Sequence, residues 1–394
     1  MDSLVAKPRE ESAAERWSRV VQRRPLVAAL LATAVLLVLA APALSMKLNM
    51  PDDSAQARGT MGYASYAAMA QGFGPGFDAP LIVAASVPSP QASTTALVQA
   101  VAHTRGVARV TPARLSPDGK ALMLIAYPTT SEQNTATNAL VNKLNQTVLP
   151  RATAGTGIRA YVTGPNAANV TFANIVGQRL PWLVGVVVLL SMVLLLVTFR
   201  SVVVAVKAAV MNLLSVLAAY GVLTAVTQWG WGHQLFGFPE KLPVTTWVPV
   251  FLFVILFGLS MDYEVFLLSR IREDYDATGD ASVSVGRGLA RTARVISAAA
   301  AIMVVVFLSA TLGEDVSVKQ IGLGLAAAVL IDATLVRLVL VPAVMEMLGR
   351  ANWWLPRPLD RILPGGRAPR RTRPAAVPPA GVLREVPSSA GTQN

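Results

Sequence analysis

The sequence contains no cysteine, and its only two histidines, His103 and His233, lie far apart along the chain. The lack of cysteine excludes disulfide bonds, thiol catalysis and cysteine-based metal sites. Two isolated histidines cannot supply a histidine-rich metal cluster, so we predict neither a metal site nor a cofactor. A G-x-x-x-x-G-K-[ST] loop is also missing, which argues against a nucleotide-driven pump. No catalytic motif is present, and we do not expect an enzyme.

Charge is scarce as well, because charged residues make up only 14% of the chain against about 25% in a typical soluble protein. The deficit is concentrated in uncharged stretches of roughly twenty residues, the length that crosses a bilayer core. We therefore predict an α-helical membrane protein with a six-helix transmembrane bundle. The predicted spans are residues 26–45, 181–199, 202–227, 244–268, 295–312 and 321–345.

The first apolar stretch has an alternative interpretation as a cleaved signal peptide. A basic segment precedes it, and small residues surround positions 41–45, as at a cleavage site. Its apolar run is long for a signal peptide, which favours a retained helix. With either interpretation, the chain that follows emerges on the outer side of the membrane.

The orientation follows from lysine and arginine in the short loops, which are enriched on the cytoplasmic side. One side carries the N-terminal arginines, Arg200, the loop after the fourth span and the C-terminal tail. The other side carries Lys241, and Lys319 beside Glu314 and Asp315. We predict that both termini are cytoplasmic and that the protein lies in the plasma (inner) membrane. All six spans agree with this single alternation.

The net charge of +12 is explained by this topology, and no motif for nucleic-acid binding accompanies it. Residues 350–394 are basic and rich in proline. This composition predicts a disordered, solvated cytoplasmic tail. Contact of the tail with anionic lipid is the alternative.

Residues 47–178 are the only long stretch with the composition of a globular domain, and the orientation places them outside the cytoplasm. Strand-like runs at 81–87, 107–113, 121–127 and 158–163 combine with helix-like segments at 91–104 and 131–149. A Ser-Pro-Asp-Gly sequence at 116–119 predicts a hairpin turn. The resulting βαββαβ order predicts a ferredoxin-like α+β domain. The predicted organisation is a cytoplasmic segment (1–24), a first helix (25–46), the extracytoplasmic domain (47–178), a five-helix membrane segment (179–349) and the tail (350–394).

Three acidic residues interrupt the apolar spans: Asp262 and Glu264 in the fourth and Asp332 in the sixth. A carboxylate in the hydrocarbon region costs at least ~2.5–3.5 kcal/mol, so function is its default interpretation. Asp262 lies roughly 12 Å from Arg270 along a helix, deep enough to need a partner or a water-filled cavity. Such a group could bind a proton from one side and release it to the other. A structural carboxylate held by a backbone or arginine contact is the alternative, and we expect that role for Glu264, nearer the cytoplasmic interface.

The neighbours of these acids are placed by helical geometry. Tyr263 points about 100° away from Asp262, so the two cannot serve one internal pair. Arg337 follows Asp332 by five residues, about 140° around an α-helix. We therefore expect no direct pair between them, although both could join one network. For Asp332 the functional and structural interpretations remain equally open.

Residues 258–273 (GLSMDYEVFLLSRIRE) closely resemble the signature of the mycobacterial membrane protein large (MMPL) family, within the resistance-nodulation-division superfamily. Residues 72–77 (GFGPGF) with Pro80-Leu81, and residues 331–337 (IDATLVR) with Pro342, are also similar to family sequence. The resemblance runs from about Arg16 to Gly349. It implies a proton-driven exporter of lipids or other hydrophobic molecules, with a porter-like external domain that guides the substrate.

The same resemblance implies a proton relay through Asp262 and Tyr263, because Asp-Tyr pairs in the fourth helix of each half have that role in the family. Asp332 is a further candidate. Family members normally carry two such halves, and this chain resembles the second one. We therefore expect a homodimer or a separately encoded first half to complete the relay. A non-transporting scaffold and a truncated, inactive product are the alternatives.

Overall fold

Six helices in the described part of the chain are long and apolar enough to cross a membrane. The computed structural model describes Trp17 and residues 20–56, 58–88, 94–238 and 241–363. The candidate spans are Pro25–Ser45, Pro165–Phe199, Val202–Thr227, Val248–Thr278, Ala281–Leu312 and Val316–Trp353. Most of the predicted segment 1–24, the start of the helix predicted from residue 91 and the tail from residue 364 lie outside the described residues.

The helices and strands follow one another in a simple order. The α-helices are α1 (Pro25–Ala40), α2 (Met61–Phe73), α3 (Thr95–Ala102), α4 (Thr135–Lys143), α5 (Leu149–Ala152), α6 (Pro165–Phe199), α7 (Val202–Thr227), α8 (Val248–Thr278), α9 (Ala281–Ser309), α10 (Val316–Ile331), α11 (Val341–Leu348) and α12 (Arg357–Ile362). The strands are β1 (Leu48–Asn49), β2 (Leu81–Ser86), β3 (Val107–Val110), β4 (Arg114–Leu115), β5 (Ala121–Pro128), β6 (Arg159–Thr163) and β7 (Val244–Thr245). Residues 356–363, including α12, belong to a separate unit.

Polar residues at the helix ends explain where the membrane helices begin and stop. Asp280 accepts hydrogen bonds from the backbone N–H groups of Ser282 and Val283 and so caps α9, and Asp315 caps α10 in the same way. Such side chains satisfy backbone donors that the first helical turn leaves unpaired. Gly279 ends α8 with a φ of 71°, a left-handed conformation that glycine adopts without steric cost.

The predicted fourth span begins too early. Residues 244–245 form strand β7, which pairs in parallel with β1, and α8 starts only at Val248. The β-branched pair Val244-Thr245 fits a pleated strand better than a helix start, and Pro249 suits the first turn of the helix that follows. The β1–β7 pair connects the chain leaving α1 to the chain entering α8.

The domain between the first two spans, predicted to be external and called the external domain below, is built on an antiparallel sheet. Its strand order is β3-β5-β2-β6, with β4 also pairing with β5. The predicted turn at 116–119 is confirmed, because it joins β4 to β5, and the N–H of Gly119 donates to the carbonyl of Ser116 at 2.9 Å. One face of the sheet buries Leu81 and Val83 against the helices, including Leu97 and Leu140. This alternation of buried and less buried residues is what a half-covered sheet requires.

The membrane helices approach closely where glycine replaces a side chain. A Cβ on Gly324 of α10 would lie 2.0 Å from Leu252 Cδ1 of α8, and one on Gly221 of α7 would lie 1.8 Å from the carbonyl oxygen of Leu39. Small residues permit such close helix contacts in membrane proteins. Helices α7 and α10 are the most enclosed, whereas α6 and α9 expose most of their apolar surface. Helix α7, helix α8 and the segment that follows α10 carry the polar side chains of the candidate site.

Candidate functional site

Polar side chains from α7, α8 and the last span meet inside the helix bundle. Each has less than a tenth of its surface exposed, and together we call them the charge cluster: Lys207, Asn212, Ser260, Glu264, Asp332 and Arg337. With all four charged groups ionised, two cations face two anions. Buried charges are tolerated when they are paired and hydrogen-bonded, so this composition allows the cluster to exist among apolar residues.

Asp332 and Arg337 form a direct ion pair, and the expectation that they would not pair is wrong. Arg337 Nε and Nη2 donate to Asp332 Oδ2 at 2.9 and 2.7 Å. The reason is that the backbone from Asp332 to Leu340 is a π-helix. Its i→i+5 hydrogen bonding stacks residue i+5, here Arg337, over residue i, here Asp332. The predicted separation of 140° between them assumed an α-helix. The same segment continues directly from α10 into α11.

Ser260 connects this ion pair to α7. Its hydroxyl lies 3.1 Å from Asp332 Oδ2 and 2.9 Å from Asn212 Oδ1. Arg337 Nη2 donates to the backbone carbonyl of Ser260 at 2.5 Å and to its hydroxyl oxygen at 3.2 Å. A serine hydroxyl has one proton to donate, so Ser260 must divide that proton between the carboxylate and the amide oxygen. The contact therefore has two alternative arrangements.

Glu264 belongs to the cluster. It is 5% exposed, and its Oε2 accepts a hydrogen bond from Asn212 Nδ2 at 3.0 Å. One helical turn separates Ser260 from Glu264 on α8, so both face α7. The sequence spacing indicated this position of Glu264. Residues four apart, such as Ser260 and Glu264, share a helix face, and Asp262 does not lie on that face.

Several polar atoms in the cluster have no hydrogen-bond partner among the described residues. They are Lys207 Nζ, Glu264 Oε1, Asp332 Oδ1 and Arg337 Nη1. A buried polar atom that lacks a partner costs free energy, and ordered water is the usual remedy where several such atoms lie together. The cluster can thus hold bridging water between Lys207 and Glu264, which interact electrostatically.

Asp262 lies outside the cluster. It is exposed on a stripe of α8 that also contains Phe251, Ile255, Gly258 and Phe266. Apart from Asp262 and the glycine, that stripe is apolar, and Phe251 is 53% exposed. A carboxylate facing lipid at this depth is expensive. The stripe therefore requires a cover that the described residues do not supply.

Tyr263 points toward the cluster, about 100° around the helix from Asp262. Its ring lies under the Arg337 guanidinium, with 5.2 Å from Cζ to the ring centroid, within cation–π range. Its hydroxyl is 3.8 Å from Met303 Sδ. A small cavity beside it is lined by Ser260, Asp332 and Arg337 as well as by apolar side chains. The structure thus brings Tyr263 and Asp332 together and leaves Asp262 on the outer face.

A second group of carboxylates lies in the external domain. Burial, with the negative charges of Asp52 and Glu132, raises the pKa of Asp78 to about 7. Both Asp78 oxygens are buried without a hydrogen-bond partner in the described residues. Glu132 accepts a hydrogen bond from Asn169 at 2.7 Å, and burial raises its pKa as well. This group has no counterpart in the sequence-based predictions.

Neither histidine has surroundings of a metal ligand. His103 Nδ1 lies 2.9 Å from the carbonyl of Gln99 at the exposed end of α3. His233 Nδ1 lies 2.9 Å from the carbonyl of Phe238. No group of three or more His, Cys, Asp or Glu residues that could hold a metal ion occurs among the residues that the structure describes.

Apolar spans that enclose a balanced set of charges define a polytopic membrane protein with an intramembrane polar site. The sequence profile of the MMPL family matches residues 82–379, and the chain belongs to the MMPL family. It is 40% identical over 362 residues to the mycolic acid-containing lipids exporter MmpL11 of Mycolicibacterium smegmatis, covering 89% of this chain and 37% of that protein.

Two further relatives resemble the chain over a similar length. The heme uptake protein MmpL11 of Mycobacterium tuberculosis strain H37Rv is 39% identical over 361 residues, covering 89% of this chain and 36% of that protein. The membrane protein YdfJ of Bacillus subtilis is 33% identical over 352 residues, covering 88% of this chain and 48% of that protein. The chain thus spans less than half the length of each of these relatives.

Proposed function

We propose that the chain is part of a proton-motive-force-driven transporter that exports lipids or other hydrophobic molecules. The observation that carries this proposal is the charge cluster, in which two carboxylates and two cations are enclosed by three spans. A protein with a purely structural role would be as stable, or more stable, with apolar residues at these positions. The costly groups therefore favour turnover over a scaffold or a truncated, inactive product.

Proton binding would change the charge balance of the cluster. If Asp332 takes up a proton, Arg337 loses its anionic partner and the cluster acquires one uncompensated positive charge. Such a charge in a low-dielectric interior costs several kcal/mol unless water or a new partner reaches it. The Ser260 hydroxyl, which no longer faces a carboxylate, can donate to Asn212 Oδ1 instead. Protonation thus favours a different packing of α7, α8 and the π-helical segment, which is how a gradient could move helices.

Asp262 and Tyr263 are proposed as the relay on the outer face of the same helix. Tyr263 contacts Arg337, and Asp262 lies on the exposed stripe. A proton could therefore pass between the cluster and a group that covers the stripe. We propose that a second copy of the chain or a separately encoded first half provides this cover. Either would remove the carboxylate from contact with lipid, which its cost in hydrocarbon demands.

The proposed topology has cytoplasmic termini in the plasma membrane and residues 47–178 outside. Arg200 follows the last residue of α6, and Arg270 lies in the last third of α8, both on the proposed cytoplasmic side. Lys241 lies on the proposed opposite side. The strand order β3-β5-β2-β6 in an antiparallel sheet supports a ferredoxin-like, porter-like domain. The five-part organisation with boundaries at 24, 46, 178 and 349 is proposed with it. Because the chain has no cysteine, single introduced cysteines at Lys120 and Asp276 would test the orientation by labelling from one side.

The proposed substrate class is supported by one relative that is described as an exporter of mycolic acid-containing lipids. Another relative with similar identity is described as a heme uptake protein. Both ligands are large and hydrophobic, so we propose that class rather than a single compound. Direction of transport is the point on which the two descriptions differ.

The test is transport of a fluorescent long-chain lipid in reconstituted vesicles with an imposed pH gradient. We expect gradient-dependent movement by the wild type and at least a tenfold loss in Asp262→Asn, as for removal of a proton-transfer group. Asp276→Asn, an exposed carboxylate paired with Arg272, serves as the matched control. Full-rate, gradient-dependent transport by Asp262→Asn at equal protein level would contradict the relay.

A further inference from the structure

An apolar groove runs along α1 beside the π-helical segment. It has a volume of about 510 Å³. Val27, Leu31 and Val35 line one side, and Leu335 and Val339 line the other. Arg23 and Arg24, at the start of α1, line the groove as well, and we call this part its mouth. Apolar walls with a basic mouth are suited to a ligand that has a hydrocarbon chain and an anionic head.

The part of the groove that runs from Arg24 to Val35 along α1 corresponds to one leaflet of a bilayer. At a rise of 1.5 Å per residue, Val35 lies roughly 16 Å from Arg24 along the helix. This is about half of the ~30 Å hydrocarbon thickness. The arginines therefore lie at the level of lipid headgroups when Val35 lies near the midplane. One acyl chain of a phospholipid would fill that distance.

The arginines at the mouth are available to a ligand. Both are exposed, and neither forms an ion pair with another described residue. The nearby carboxylate of Glu346 is engaged instead by Gln22, whose Nε2 donates to Glu346 Oε2 at 3.1 Å and to the carbonyl of Ser282 at 3.1 Å. A guanidinium is well matched in geometry to a phosphate oxygen pair.

The floor of the groove is held in place by specific contacts. Trp17 Nε1 donates to the carbonyl of Leu338 at 2.9 Å, which holds the indole ring, part of the groove lining, against the π-helical segment. Leu36 of α1 is buried, whereas Val27, Leu31 and Val35 are exposed, so the groove lies on the outer side of α1. Indole rings are enriched at the level of membrane headgroups, in agreement with the position of the arginines.

We propose that this groove binds one anionic phospholipid, with an acyl chain along α1 and the phosphate group between Arg23 and Arg24. A phospholipid is favoured over a second protein because no described residue forms an ion pair with Arg23 or Arg24. The part of the groove from Arg24 to Val35 also has the length of one leaflet. The proposed topology determines only which leaflet supplies the lipid. The lipid site is independent of the proton relay.

The test is lipid retention by the purified full chain in mild detergent, measured by native mass spectrometry. Phosphatidylglycerol and phosphatidylcholine with identical acyl chains are the probes. We expect phosphatidylglycerol to bind at least tenfold more tightly, because basic residues at the membrane surface attract anionic headgroups. The double variant Arg23→Gln/Arg24→Gln should lose that preference. The matched control Arg287→Gln/Arg294→Gln, which removes two exposed arginines of α9, should keep it.

A second variant separates the acyl chain from the charge. Leu31 is 62% exposed, so Leu31→Trp can place its ring in the groove without disturbing the core, and it should weaken binding of phosphatidylglycerol. Equal binding of the two lipids by the wild type, or equal losses in both arginine pairs, would overturn the proposal. So would disulfide crosslinking of Val27→Cys between two copies in the cysteine-free chain, which would identify a second copy as the occupant. Asp262→Asn should bind lipid as the wild type does, so failure of the relay is distinguishable from failure of this site.

Discussion

The carboxyl groups of the charge cluster and those of the external domain have opposite surroundings. In the charge cluster, Asp332 pairs with Arg337 at 2.7 Å. In the external domain, Asp78 has the carboxylates of Asp52 and Glu132 as neighbours. The first region is electrically balanced when its groups are ionised, and the second is not. Loss of a cation should therefore destabilise the charge cluster, whereas loss of a negative charge should reduce the repulsion among the carboxylates of the external domain.

The largest effect is expected for Arg337→Met. The substitution removes the hydrogen-bonded cation from buried Asp332, and breaking a buried pair costs about 3–5 kcal/mol. The measurement is the free energy of unfolding in detergent. Arg270→Met, which removes one member of an exposed pair with Glu273, should cost at most about 1 kcal/mol. An equal loss in the two variants would contradict the account of the cluster, and adding Asp332→Asn to Arg337→Met should recover part of the loss.

Ser260→Ala should have an intermediate effect. The change leaves Asn212 Oδ1 without its donor and removes one acceptor of Arg337, which should cost about 1–3 kcal/mol. The control is Ser269→Ala on the same helix, where the side chain is only half-buried. The free energy of unfolding of both variants, measured under the same conditions, gives the comparison. A neutral Ser260→Ala would mean that Ser260 does not connect α7 to the ion pair.

Asp78→Asn should stabilise the protein rather than destabilise it, and the gain in stability should depend on pH. The native pKa of Asp78 is raised from 3.8 to about 7, so the native state binds more protons than the unfolded state between those values. The stability associated with this group is therefore present below about pH 4 and lost as the pH rises through 7. Asp78→Asn should stabilise the protein at pH 8 and change little at pH 4. The thermal unfolding temperature at the two pH values is the measurement.

Asp118 provides a control for that experiment, because its pKa is shifted in the opposite direction to that of Asp78. Its pKa is lowered by a hydrogen bond from Ser116 and by the backbone N–H of Lys120. The corresponding stability is present at neutral pH and lost as the pH falls through the lowered pKa. Asp118→Asn should therefore not stabilise the protein at pH 8. If both asparagine variants stabilised it at pH 8, general reduction of negative charge would explain the result better than burial of Asp78.

The smallest effect on stability is expected for Asp262→Asn. The carboxylate is exposed, and exposed substitutions usually change the free energy of unfolding by less than about 0.5 kcal/mol. Unfolding of the monodisperse chain in detergent is the measurement. A loss above about 1 kcal/mol would show that Asp262 has a structural partner within the chain. Asp262 would then have a partner inside the chain, as Glu264, two residues away, has in Asn212.

The sequence predicted the membrane part of the fold well. Each span was visible as an uncharged run of sufficient length, because hydrocarbon permits few charges. The ends were predicted less well, since α6 begins at Pro165 and α8 continues to Thr278. Helices that extend beyond the hydrocarbon carry polar residues there, and hydropathy alone does not distinguish such a turn from a loop.

The site was predicted only in part. The acidic residues were identified from their cost in the membrane, but their partners depend on helix rotation and on backbone winding. The pairing of Asp332 with Arg337 requires a π-helix, which no residue pattern in the sequence indicated. Asn212 was missed because an amide inside an apolar helix carries no charge to attract notice. The exposed position of Asp262 became visible only when its helix had been packed against its neighbours.

The most direct test of the central claim is proton flux through reconstituted vesicles that contain a pH-sensitive dye. With an imposed gradient and the transported lipid present, wild-type vesicles should acidify faster than vesicles without protein. Asp332→Asn should reduce that flux at least tenfold, whereas the exposed control Asp276→Asn should retain it. Unchanged flux through properly folded Asp332→Asn, at equal protein level, would contradict a proton relay through the charge cluster.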